Sequence, residues 1–302
     1  MSDVMAFKYT PYASGVKPFS IALALLDPAH WFEPDERLTV ELADKERLLV
    51  EERARVIAAE PETHPGQAEV RDAIVHHLVT VHPHLYRQHG AKTGREIEII
   101  PAGRRIPLDD DLPLVAAARL IQDDLCLMRQ GPTGWRLAAA VLTAPSAWSL
   151  AEHFGKPLNI IHTAVPGFAE TMAAKIERIF DHLQTDKPVW RMNWSLYDDD
   201  VLFHPETKRT ARRWSGPDGR FGEQAFVRVE RQTLRRMPVS GDILFTIRVY
   251  VDPVAAFRSH PDGAHLATSL AECLAGLDPD QLRYKNLLAD RDRIITALAG
   301  IQ

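Results

Sequence analysis

The order of the periodicities along this chain predicts an α+β fold. Amphipathic helical stretches come first, runs of period-2 alternation with short helices between them fill the middle, and helical segments close the chain. Helices and strands do not alternate as βαβ units. The sheet is therefore expected to be antiparallel, with helices on one side of it. The clearest strand signal is residues 224–252, QAFVRVERQTLRRMPVSGDILFTIRVYVD, two alternating runs around the turn chemistry of Pro238 to Gly241.

Each run has two faces. In the first, Val227, Val229, Arg231 and Thr233 share one face, and Arg228, Glu230, Gln232 and Leu234 share the other. In the second, Ile243, Phe245, Ile247, Val249 and Val251 share one face, and Leu244, Thr246, Arg248 and Tyr250 the other. The expected hairpin buries an apolar face and gathers Arg228, Glu230, Gln232, Thr246, Arg248 and Tyr250 on the opposite one. Two readings fit that polar face. It is the solvent side of a sheet, with cross-strand pairs contributing about 0.2–1 kcal/mol each. Or it lines a pocket, where an unpaired Arg or Glu is costly and requires a partner or ligand.

The 302 residues suit one large domain or two small ones, and 45% hydrophobic against 25% charged residues is an ordinary globular balance. A net charge of −5 gives no sign of nucleic-acid binding. Cys126 and Cys273 form no CxxC pair, which excludes a disulfide framework and suits a reducing cytoplasm. The N-terminus lacks a basic segment followed by an apolar core, so no signal peptide is expected. No apolar run approaches the length of a membrane span.

Residues 1–34, with Tyr9, Tyr12, Phe19, Trp31 and Phe32, read as an ordered arm packed on the body. From Asp35 to about Glu60, Leu38, Leu42, Leu48, Leu49, Val56 and Ile57 mark an amphipathic helix, which Glu60-Pro61 ends. A second helix runs from about Gly66 to Val81. The irregular spacing of His76, His77, His82, His84 and His89 near its end favours a helix-end surface over a metal site. Residues 95–112 hold one strand, EIEII, and a loop; 113–122 read as helix. Residues 125–128 and 135–143 form a hairpin about the turn at 130–134. Ser146 is placed as the N-cap of a helix over 147–154. The apolar run 156–168, KPLNIIHTAVPGF, contains His162 and closes at Pro166-Gly167. A helix over 168–183, a strand over 188–195 and a long polar loop over 204–223 lead into the first-described hairpin. Helical segments at 253–258, 263–275 and 279–299 follow it. The chain thus divides, within a single domain spanning 1–302, into an arm (1–34), helices (35–85), a sheet-containing core (95–252) and C-terminal helices (253–302). No GxGxxG after a strand and no GxxxxGK[ST] is present, so ordinary nicotinamide or nucleoside-triphosphate chemistry is not expected.

Five segments carry a resemblance: IQDDLCLM (121–128), APSAWSLAEHFGKPLNIIHTAVPGF (144–168), VWRMNWSLYDD (189–199), RVERQTLRRMPVSGDILFTIRVY (228–250) and YKN (284–286). Over roughly residues 15–290 the chain resembles the haem-dependent oxidative N-demethylase family. RVERQTLRR is the most specific string, and Ala164 stands where the family pattern IHxPVP carries Pro. The resemblance implies a PAS-like antiparallel sheet flanked by helices that binds haem b through a histidine. It implies oxidative N-demethylation of a small secondary amine such as dimethylamine, with O2, releasing formaldehyde. Electrons would come from a separate flavin and iron–sulfur reductase subunit. The absence of a cysteine array and of a dinucleotide fingerprint is consistent with a haem subunit only.

On that basis His162 is the expected iron ligand and His204, in LFHP, the second choice. Arg228, Arg231, Arg235 and Arg236 are candidates for propionate pairing, because guanidinium forks match carboxylates. The amine arrives as a cation, so Glu230 is the expected anchor, with Gln232 and Tyr250 as neighbours on the same polar face. Two alternatives stand beside this reading: a PAS-like haem sensor and a haem-free interaction subunit. No output module accompanies the chain, which weighs against the sensor. Neither nucleic acid nor membrane is an expected partner.

Overall fold

Two eleven-residue strands form the centre of the structure, a computed structural model that describes residues 7–16, 19–90, 94–109, 111–206 and 211–301. The strands are β1 (Ala24–Leu25), β2 (Ile57–Ala59), β3 (Tyr86–His89), β4 (Glu96–Ile99), β5 (Arg104–Pro107), β6 (Asp124–Gly131), β7 (Gly134–Val141), β8 (Val189–Tyr197), β9 (Phe226–Arg236) and β10 (Ile243–Pro253). The helices are α1 (Leu38–Glu51), α2 (Arg53–Val56), α3 (His64–Val81), α4 (Pro113–Ala118), α5 (Leu150–His153), α6 (Leu158–Ile161), α7 (Ala173–His182), α8 (Phe221–Gln224), α9 (Gly263–Ala275), α10 (Pro279–Tyr284) and α11 (Arg291–Ala299). Seven strands make one sheet in the order β1-β8-β9-β10-β6-β7-β2, with every neighbouring pair antiparallel. The α+β class is therefore as the sequence predicts.

The turn between β9 and β10 fixes the rest. The Met237 amide donates to the Asp242 carbonyl at 2.8 Å, and Gly241 adopts φ 72°, a left-handed conformation that favours glycine. This turn pairs even-numbered residues of β9 with odd-numbered residues of β10: Gln232 faces Ile247, Glu230 faces Val249, and Arg231 faces Arg248. Directly opposed residues share a face. Glu230 and Gln232 therefore lie with Phe245, Ile247 and Val249. Thr246, Arg248 and Tyr250 lie on the other side with Arg231 and Thr233. The single polar hairpin face expected from alternation is thereby corrected, because alternation within each strand does not reveal the parity of the turn.

Helices cover both sides of the sheet, which corrects the expected one-sided cover. On the face of Arg231 and Arg248, α1, α3 and α4 pack on Leu125, Leu127, Ala139, Val141 and Leu244, while α9, α10 and α11 pack around Trp194, Leu196, Val227 and Val229. On the opposite face, α5, α6 and α7 cover Cys126, Met128, Leu137, Ala140, Leu234 and Ile243. The physical reason is in β6 and β7. Leu125 to Met128 and Leu137 to Val141 are apolar without alternation and buried throughout, so each face needs its own layer. A three-stranded sheet, β3-β4-β5, carries the EIEII strand between β3, which the sequence reading left unassigned, and β5, which it placed in a loop.

Other boundaries differ locally. The helix expected to Glu60 gives way at Ile57 to β2, which pairs with β7. The segment read as helix over 168–183 starts with a π-turn at Phe168–Met172 before α7. The last helix breaks into α10 and α11; Asp278 caps α10 through a reciprocal capping box with Gln281. His77 is buried against Trp31 and Phe32 rather than placed on a helix-end surface.

The face of Arg231 and Arg248 is sealed by charge. The Arg248 guanidinium, 2% exposed, donates to Glu41 at 2.6 Å and Asp35 at 2.7 Å. Lys45 is buried and donates to the carbonyls of Ile121 (2.9 Å) and Asp123 (2.6 Å). Arg231 donates to the carbonyls of Trp31, at 3.2 Å, and His30. Removing one partner of a buried pair strands the other, so Arg248→Met should cost about 3–5 kcal/mol, read from the urea midpoint. Burial pushes the Asp35 carboxyl up, but the Arg248 charge and bonds from Gln122, Arg248 and the Arg37 amide hold it below its ordinary value. A carboxyl lowered by folding stabilises above its unfolded pKa, and that contribution is lost as pH falls through the lowered value. The Arg248→Met deficit should thus be full at pH 7 and shrink below about pH 4. A deficit that does not vary with pH would mean that Asp35 is not the partner that matters.

Candidate functional site

Most of the central strands are buried, but one patch is not. On the α5–α7 side, Arg191 and Asn193 of β8 oppose Gln232 and Glu230 of β9, with Ile247 and Phe245 of β10 beside them. All six are half-buried, whereas Arg231, Thr233, Thr246 and Arg248 at matching positions on the other face are buried. The covering helices leave this patch partly exposed, and the partly open space above it is called the cleft.

His162 comes to this cleft from the covering layer. It follows α6, and Leu158 holds its ring through a 2.9 Å bond between Nδ1 and the Leu158 carbonyl. A carbonyl can only accept, so Nδ1 carries the proton, and Nε2 has no hydrogen-bond partner among the described residues. Phe168 is stacked against the ring at 4.7 Å and 10°. Burial lowers the His162 pKa below the ordinary imidazole value, against the bond to Leu158, and the charges of Arg191 and His153 lower it further. The ring is neutral at pH 7. His153 lies close enough to contribute; its Nδ1 donates to the Ser149 carbonyl at 2.8 Å and its ring stacks on Trp148 at 4.4 Å.

Glu230 is held from two sides. Ser146 Oγ donates to one carboxylate oxygen, and Gln232 Nε2 to the other at 2.9 Å. Ser146 in turn accepts a 2.8 Å bond from Arg228 Nε. Ser146 is therefore not the N-cap expected of it; α5 begins later, after Ser149.

The four arginines proposed for carboxylate pairing separate by face and by occupation. Arg228 is buried and donates to the carbonyls of Ala144 (2.8 Å), Leu202 (2.9 Å) and Val201 (3.1 Å). Arg236 donates to the carbonyls of Leu183 (2.7 Å) and Phe180 (2.5 Å), closing the C-terminal end of α7. Arg231 and Arg235 lie on the opposite face from His162; Arg231 is bound to the arm, and Arg235 stacks over Trp31 at 4.3 Å. None of the four is a free fork in the cleft.

The guanidinium that is in the cleft is Arg191, which was not singled out from the sequence. Its Nε has no hydrogen-bond partner among the described residues, and burial lowers its pKa, opposed by the Glu230 charge. Its signal was the alternation of Val189, Arg191, Asn193 and Ser195 along β8, a polar stripe on a strand whose ends are apolar.

Tyr250 is placed away from Glu230 and Gln232. It opposes Val229 on the other face, where its hydroxyl donates to Glu33 at 3.2 Å, so the expected three-residue grouping is corrected to two. His204 lies against Tyr197 at 4.7 Å, and its Nε2 pairs with Asp199 Oδ1 at 2.9 Å. Tyr197 is six residues along β8 from Arg191, about 20 Å at ~3.3 Å per residue.

The donor set fits a haem. A neutral imidazole has one nitrogen fixed by a carbonyl and the other free; Phe168, Phe245 and Ile247 offer apolar surface; and a guanidinium lacks a committed carboxylate. A family model described as haem-dependent oxidative N-demethylase, alpha subunit-like, matches residues 22–295. That match includes the sheet, the cleft and every residue assigned to it, and the chain belongs to the haem-dependent oxidative N-demethylase, alpha subunit-like family.

Proposed function

We propose that the chain is the haem b-binding subunit of an oxidative N-demethylase acting on a small secondary amine of the dimethylamine type, with release of formaldehyde. The observation that supports this most directly is a neutral His162 within electrostatic reach of Arg191, whose cross-strand partner is Gln232, next to Glu230 on the same face. In this reading the chain is one domain. Its strands β8-β9-β10-β6-β7, with α5–α7 across one face, form a PAS-like unit. With two cysteines, free and far apart, the chain has no array for an iron–sulfur cluster, so electrons come from a separate flavin and iron–sulfur subunit. No helix among the described residues is long and apolar enough to cross a membrane. A reducing cytoplasm suits the free thiols.

His162 Nε2 is the iron ligand, and the Leu158 carbonyl keeps its tautomer fixed. Arg191 pairs with a propionate. Haem supplies the one-electron and dioxygen chemistry that oxidises an N-methyl group. Glu230 does the rest of the polar work. Its carboxylate faces the cleft between Ser146 Oγ and Gln232 Nε2, where it accepts a hydrogen bond from the ammonium group. It then takes the proton that the amine must lose before oxidation. Asn193, opposite Glu230, and the half-buried Phe245 and Ile247 bound the space left for a substrate with two methyl groups.

Three measurements test the assignment. The protein reconstituted with haem should show a Soret band that His162→Ala abolishes or strongly shifts and His204→Ala leaves nearly intact; the opposite pattern would move the ligand to His204. Arg191→Met should weaken haem affinity about tenfold, or ~1.4 kcal/mol, without changing the ligand-field bands, and an unchanged affinity removes Arg191 from the propionate role. Glu230→Gln should keep haem in place and lower kcat/KM for the amine by roughly 10²-fold. Full turnover in that variant would make Glu230 a structural partner of Ser146.

A further inference from the structure

Outside the cleft, a groove of about 550 Å³ lies between β1 and α7. Its floor is apolar, with Leu23, Leu25, Ile179 and Val189, and Leu25 is 71% exposed. Its rim is cationic. Lys175, Arg178 and His182 stand at i, i+3 and i+7 on one stripe of α7, and Lys187 follows on the loop to β8. Among the described residues no carboxylate lies within 4 Å of any of these four side chains as an ion pair. The acidic residues of the same helix point elsewhere: Asp181 accepts from Trp135 Nε1 at 2.9 Å, and Glu177 packs on Gly134. Charge is thus sorted across α7, with the cations turned to the groove. β1 is also the end strand of the main sheet, so its outer backbone edge has no strand beside it among the described residues. An open edge next to exposed apolar side chains is a template for an added strand.

We propose that this groove docks a partner subunit through an extended segment of apolar side chains interleaved with carboxylates, added alongside β1. The chain itself carries a net charge of −5, so Lys175, Arg178 and Lys187, three cations without an ion-pair partner among the described residues, form a local reversal about an apolar floor that selects an acidic partner. A second copy of this chain is disfavoured as occupant: a two-fold contact would set cation rim against cation rim. α7 links the groove to the cleft. Ile176 and Phe180 on its inner side pack into the layer that covers the haem face, while Lys175, Arg178 and His182 turn outward. A partner seated there lies on the outer side of α7, one helix of the layer that covers the cleft. The partner's identity rests on the multi-subunit reading above; the groove's chemistry does not.

The test uses the full chain as isolated and three labelled ten-residue peptides: alternating Leu-Glu, alternating Leu-Lys and alternating Ser-Glu. Fluorescence anisotropy should show binding of the Leu-Glu peptide alone. That binding should weaken at least tenfold in the Lys175→Glu/Arg178→Glu double variant and in Leu25→Asp, and fall as salt is raised. Thermal unfolding of both variants, matched to the parent, shows that the loss is local. Equal binding of the Leu-Lys peptide, no binding of any peptide, or Leu-Glu binding that survives both variants overturns the proposal. So does a concentration-dependent dimer abolished by Leu25→Asp, which would give the groove to a second copy. None of these outcomes touches the Soret band, so a failed groove and a failed haem assignment are told apart.

Discussion

The buried charge clamp on one face of the sheet is the constraint on which the rest depends. Arg248 reaches Glu41 on α1 and Asp35 before it, Lys45 on the same helix reaches the carbonyls of Ile121 and Asp123, and Arg231 holds the backbone of His30 and Trp31. A fully desolvated ion pair is not a cheap way to hold a fold; apolar replacement of such a pair is often neutral or favourable. What the clamp supplies is direction. Apolar contacts tolerate sliding, but a guanidinium shared by two carboxylates accepts one placement of the arm and α1 against β10. With that face closed, the opposite face is the one on which a cleft can stay open.

The same logic explains a string dense in arginine whose side chains mostly bind backbone. Arg228 gathers the loops at 144–145 and 201–202, and Arg236 binds the last carbonyls of α7. Charged hydrogen bonds contribute about 1.5–3 kcal/mol each, and a carbonyl at a helix end or in a loop would otherwise need water. Alternate residues of β9 thus fasten both ends of the covering layer. Glu230 and Gln232, between Arg228 and Arg236 on that same face, are left facing the space the layer spans. The cleft is the stretch of strand between two anchors.

Much of this was legible in the sequence. The long hairpin, α3, α9 and the antiparallel α+β class follow from periodicity, whereas the apolar run ending in Pro-Gly marks a turn and only the family resemblance singled out His162 within it. What was not legible has a common cause. Alternation fixes faces within a strand, but which faces coincide depends on the number of residues in a turn. An error of one residue there moved Tyr250 beside Glu230, although they lie on opposite sides. The role of each arginine was equally hidden, because side-chain chemistry does not say whether a guanidinium will meet a carbonyl or remain free. Arg191 escaped notice because one arginine in a strand of tryptophans and methionine reads as its solvent side. β2 was missed because Ile57 continues the helical pattern of α1, and only pairing with β7 makes it a strand.

Arg191 also shows why the cleft is better understood as a receiving site than as an imperfect patch of core. Burial depresses its pKa, Glu230 compensates it only through space, and its Nε is unmatched among the described residues. Glu230, meanwhile, is already engaged by Ser146 and Gln232, and Ser146 in turn accepts from Arg228. A core built for stability alone would remove this mismatch, since an isolated buried charge costs several kcal/mol and an apolar isostere costs nothing of the kind. The mismatch persists where a bound group can complete it. On the proposed reading, a ligand with carboxylates on one edge and an apolar body would pair with Arg191 and lie against Phe245 and Ile247, on the side that carries His162. Such a group would supply the partner that Arg191 lacks among the described residues.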